Sequence, residues 1–106
     1  MYSVIFEVEI ADGKKDQYLN IATHLKEQLV KMPGFISIER FQSLVNEGKL
    51  LSLSFWEDEK SLLNWKKNID HMSAQRQGRE SIFKDYKISI AKIERSYTME
   101  SSDFNM

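Results

Sequence analysis

The stretch richest in side chains that could do chemistry lies between residues 58 and 83. On a continuous helix Asn64, Asn68, His71, Gln75 and Gly78/Arg79 step by three or four and form one polar stripe. The neighbouring stripe of Leu62, Trp65, Ile69 and Met72 is apolar and should face a sheet. His71 then stands at the edge of the buried face near the Trp65 ring, where an imidazole can exchange a proton near neutral pH. A histidine at such an edge more often only hydrogen-bonds a neighbour. A break in the helix at Asn68-Ile69-Asp70 would also dissolve the stripe.

The remaining candidates are weaker. Trp56 and Trp65 each pair a large ring with an N–H donor and suit a pocket for a flat molecule, although Trp56, at a strand end, reads better as core. His24 sits among Lys and Glu on a helix and reads as surface. Arg76 and Arg79 could hold an anion, but exposed helix arginines seldom do anything so specific. Glu7 and Glu9 share a strand face with Ile5, which suits pairing with basic residues across an interface better than a hydrolytic dyad.

Composition removes whole classes of function. The 106 residues leave room for one domain, expected over 1–97 with a polar tail over 98–106. Fifteen basic against sixteen acidic side chains, with no long basic run, argue against a nucleic-acid partner. The absence of cysteine excludes disulfides, thiolate nucleophiles and cysteine-held metals, and two distant histidines make a poor metal site, so no metal is expected. The four glycines are isolated, so there is no phosphate-cradling loop. No apolar run approaches the roughly 20 residues that cross a bilayer, and the N-terminus lacks a basic leader pattern. A cytoplasmic protein with no membrane partner is expected.

The elements that must position these residues follow from periodicity. Residues 2–10 alternate, with Val4, Phe6, Val8 and Ile10 on one face and Ser3, Ile5, Glu7 and Glu9 on the other. Over 15–32 the period becomes helical, with Tyr18, Ile21, Ala22, Leu25, Leu29 and Met32 on one stripe before Pro33-Gly34. Alternation returns over 35–41, placing Phe35, Ser37, Glu39 and Phe41 opposite Ile36, Ile38 and Arg40. Asn46-Glu47-Gly48 turns into a third strand over 49–56. A broken helical region over 58–83, capped by Asp58, precedes a last strand over 86–97. The order β-α-β-β-α-β predicts an α+β, ferredoxin-like antiparallel sheet with both helices on one face. The other face, with Ile5 and parts of the later strands, is too apolar to stay wet, which predicts a homodimer.

Several motifs then fall in a known order. Pro33-Gly34-Phe35, Phe55-Trp56-Glu57-x-x-x-Ser61-x-x-x-Trp65-Lys66, His71-x-x-Ala74-Gln75-x-x-Gly78-Arg79 and Ile93-Glu94-Arg95-x-Tyr97 together resemble the antibiotic biosynthesis monooxygenase (ABM) family across residues 2–97. The resemblance implies a dimeric α+β barrel. It also implies, for some members, oxygenation of quinol- or anthrone-like aromatics by O₂ with no metal, flavin or other cofactor. Carried over, Trp65 would line the pocket and His71 would serve as base or hydrogen-bond partner. Asn64, Arg79, Tyr86 and Phe6 would contact a small aromatic ligand. Haem-degrading relatives use a first-strand Asn and an axial His, positions that fall here near Phe6 or Glu7 and at Gln75, a poor iron ligand. A non-catalytic, small-ligand-binding or stress-related dimer of the same fold is the alternative.

Overall fold

A computed structural model describes residues 1–76 and 82–101, with side chains as far as residue 68 and again from residue 82. Its elements are β1 (Tyr2–Ile10), α1 (Lys15–Leu29), β2 (Phe35–Gln42), β3 (Lys49–Trp56), α2 (Glu59–Arg76) and β4 (Phe83–Lys92). The four strands form one antiparallel sheet in the order β2-β3-β1-β4, the ferredoxin-like arrangement expected from the β-α-β-β-α-β pattern. β1 alternates as its sequence demands. Val4, Phe6, Val8 and Ile10 are buried under the helices, while Ile5, Glu7 and Glu9 on the opposite face are only half-buried.

Four expectations are corrected, each for a physical reason. The helix after residue 58 is unbroken as far as Arg76, since α2 passes through Asn68, Ile69 and Asp70. Asp58 alone caps it, through Oδ1, which accepts from the Ser61 backbone N–H and from the Ser61 hydroxyl, each at 2.8 Å. α1 ends at Leu29 instead of running to Met32. Pro33 disfavours helical backbone before it, and the chain closes with tighter turns in which Lys31 N–H donates to Gln28 O and Met32 N–H to Leu29 O. β4 starts at Phe83 and stops at Lys92, because its pairing with β1 runs out at Tyr2↔Lys92. A register shift between Phe35 and Ser37 bulges β2 at Ile36. Phe35 is thereby turned from the face of Ser37 and Glu39 onto the core, where its ring lies 5.4 Å from that of Trp56.

The core lies between the covered sheet face and the two helices. Tyr18, Ala22 and Leu29 of α1 and Leu62 and Trp65 of α2 close over Val4, Phe6, Val8, Leu50 and Trp56. The other sheet face carries Leu51, Leu53 and Phe55 beside Ile5, with Phe41 next to Leu51 and 43% exposed. No helix among the described residues is long and apolar enough to cross a membrane.

Candidate functional site

One cross-strand row builds the floor of the site. Arg40 pairs with Ser52, Ser52 with Phe6, and Phe6 with Ile88, so these side chains stand next to one another on the helix-covered face. Ser52 is buried and small, which leaves space between its two larger neighbours. Over that space α1 lays Tyr18, Ile21, Ala22 and Leu25, spaced three and four apart, and α2 contributes Trp65. The cavity between them is partly open and about 10 Å³, room for roughly one water. A ring-sized ligand enters only if the helices or their side chains part.

The cavity wall mixes apolar side chains with Tyr18, Arg40, Ser52 and Trp65, and two of its polar atoms are unsatisfied. Trp65 is 4% exposed and its indole Nε1–H has no acceptor. The Nε of Arg40 is likewise buried and unpaired. A buried donor without a partner costs about 1–3 kcal/mol, so two on one small cavity require an explanation. The other tryptophan shows the ordinary solution, since Trp56 Nε1 donates to Ser54 Oγ at 2.9 Å. Burial pushes the Tyr18 phenol above its usual pKa, and the positive charge of the adjacent Arg40 opposes this only in part. Tyr18 is therefore a neutral hydroxyl at ordinary pH.

The structure brings Phe6 and Trp65 together on this wall. Asn64 is exposed, as is Asn68 on the same stripe, and neither lines the cavity. Tyr86 is 38% exposed and packs its ring 5.7 Å from Phe6 and 5.8 Å from Phe83, behind the cavity wall. His71 lies on α2, but its side chain is outside the described residues, as is Arg79 entirely. Trp56 is buried core and His24 is exposed, matching their sequence readings. Tyr18, Arg40 and Ser52 were not singled out from sequence. The available signals were an arginine in phase with Ile38 on β2 and two serines, Ser52 and Ser54, on the core face of a central strand.

A second concavity, about 260 Å³ and open, occupies the far sheet face, where Glu7, Glu9, Lys49, Asp85 and Lys87 meet. Glu7 there pairs with Lys49 of its own chain at 3.3 Å. Among the described residues no group of three or more metal-ligating side chains gathers at either place.

Comparison with known proteins agrees with this architecture. The chain is 41% identical over 96 residues to a protein of Pyricularia oryzae named jasmonate monooxygenase ABM; the match takes in 91% of this chain but only 45% of that protein. It is 23% identical over 94 residues to the uncharacterized protein YqjZ of Bacillus subtilis, covering 89% of this chain and 80% of that one. Among solved structures, SnoaB of Streptomyces nogalater, described as a cofactor-independent oxygenase, shares the fold with a TM-score of 0.70. That match covers 90% of this chain and 94% of SnoaB at 9% identity. The family model described as antibiotic biosynthesis monooxygenase matches residues 1–77, which is most of the sheet and both helices, and the chain belongs to that family.

Proposed function

We propose that the chain is a cofactor-independent monooxygenase that acts as a homodimer on an electron-rich, quinol- or anthrone-like ring. The observation that carries this reading is the buried Trp65 on a cavity wall shared with Phe6, between the helices and the covered sheet face. The name of the Pyricularia relative supports oxygenase chemistry. In the proposed reaction the substrate itself supplies the electrons. His71 takes a proton from an acidic ring CH₂, the carbanion is oxidised by O₂, and a C–O bond forms. The O–O bond then breaks, so that CH₂ + O₂ becomes C=O + H₂O. Leu51, Leu53, Phe55 and Ile5 form the surface we assign to the dimer.

The cavity of about 10 Å³ favours a second reading, a dimer that binds a small ligand without turning it over. Oxygen uptake by metal-stripped protein with anthrones and dihydroxynaphthalenes separates the two. The oxygenase reading expects uptake well above the protein-free rate, strongly reduced in Trp65→Phe and abolished in a folded His71→Ala variant. Saturable binding without uptake establishes the second reading instead. Uptake unchanged in His71→Ala removes that residue from the mechanism. Hemin, titrated alongside, is expected to undergo no ring cleavage.

A further inference from the structure

We infer that the polar end of the cavity is an anion subsite, in which Arg40 and the Trp65 indole N–H bind a carboxylate oxygen of the ligand. The inference rests on the cavity's being the ligand site and adds the chemical class of what enters it. Two N–H donors on the wall of one small cavity, Arg40 Nε and Trp65 Nε1, are buried and unpaired, and the Tyr18 hydroxyl, which accepts from Arg40, lines the same cavity. Among the described residues no carboxylate lines the cavity. The Glu7–Lys49 ion pair lies on the opposite sheet face, away from Arg40. A guanidinium Nε–H buried without an acceptor is costly and is relieved by an acceptor from outside. Arginine's flat fork fits a carboxylate with two parallel hydrogen bonds, which a neutral carbonyl cannot match. The space of about 10 Å³ has room for roughly one water or one ligand oxygen.

The rest of the lining supports an organic acid over a bare anion. Phe6, Ile21, Ala22 and Leu25 continue the wall away from Arg40 and offer only apolar surface. A ligand with a charged end against Arg40 and a hydrocarbon body against α1 satisfies both halves. Free inorganic anions satisfy one.

The test uses benzoate against methyl benzoate, which differ by the charge, followed through the two indole N–H resonances of the full chain without any turnover. Trp56, held by Ser54, is the internal control. Benzoate is expected to shift the Trp65 N–H saturably and leave Trp56 unmoved, with the ester at least about tenfold weaker. Arg40→Met should lose at least about tenfold in benzoate affinity while the far-ultraviolet spectrum shows the variant folded. Arg40→Lys should recover part of the affinity. Equal binding of acid and ester, wild-type affinity in Arg40→Met, or no Trp65 shift at about 10 mM benzoate, which nearly fills a site of Kd about 1 mM, overturns the subsite. Benzoate binding without oxygen uptake by any substrate leaves the subsite standing and removes the oxygenase. Uptake of neutral substrates with acid and ester bound equally does the reverse.

Discussion

Tyr18 is a phenol kept protonated mainly by burial, with Arg40 pulling weakly the other way. Its folded pKa lies above the unfolded value of about 10, so its contribution to stability is complete below that pH. That contribution is lost as pH rises through the folded value. Melting temperatures should therefore fall above about pH 10, and Tyr18→Phe should flatten that fall; an equally steep fall in the variant would assign it to other groups. Glu7 and Lys49 offer a contrast at the same scale. Their ion pair is partly open to solvent, with side chains 29% and 39% exposed, so Glu7→Gln should change stability by less than about 1 kcal/mol by denaturant titration.

At the scale of elements, two family motifs interlock and serve structure before chemistry. Gly34 adopts φ +82°, and a Cβ there would collide with the Ser61 side chain at the start of α2. Its carbonyl accepts from Glu57 N–H at 2.8 Å, while Phe35 meets Trp56. Gly34→Ala should thus destabilise by about 2 kcal/mol or more, measured by denaturant unfolding, because both φ and the contact oppose it. Asp58, which opens the same helix, has its carboxyl pKa lowered by the hydrogen bonds from Ser61. Its stabilisation is present above the ordinary carboxylate pKa and fades as pH falls through the lowered value. Asp58→Ala should consequently lower the melting temperature at pH 7 and have less effect under acid.

These elements also show how far the sequence could be read. β1 and β3 were legible to the residue because each alternates cleanly and is bounded by turn residues. The bulge at Ile36 was not, since one unpaired residue leaves the alternation of residue types untouched while reversing Phe35. The limits of β4 depend on where β1 stops, which no local pattern contains. Within the site, Phe6 and Trp65 were legible as apolar residues in phase with the core. Arg40 was hidden because a charged residue on an edge strand reads as solvent-facing until a helix is known to cover it.

At the scale of the whole molecule, the sheet face opposite the helices bears Ile5, Leu51, Leu53 and Phe55, a row of apolar side chains across the two central strands. The proposed dimer buries that row. Leu53→Lys should shift the sedimentation coefficient to that of a monomer while the far-ultraviolet spectrum stays unchanged, and a dimer that survives the substitution places the interface elsewhere. The chain spans 45% of the length of its Pyricularia relative.

The central claim is oxygenation within one chain type and without an added cofactor. Its most direct test is turnover of an anthrone under ¹⁸O₂, with the product followed by mass spectrometry and Trp65→Phe run in parallel. The account predicts one labelled oxygen in the ring carbonyl, the second in water, and strongly reduced incorporation in the variant. A product whose new oxygen comes from water, or an anthrone returned bound but unchanged, would contradict it.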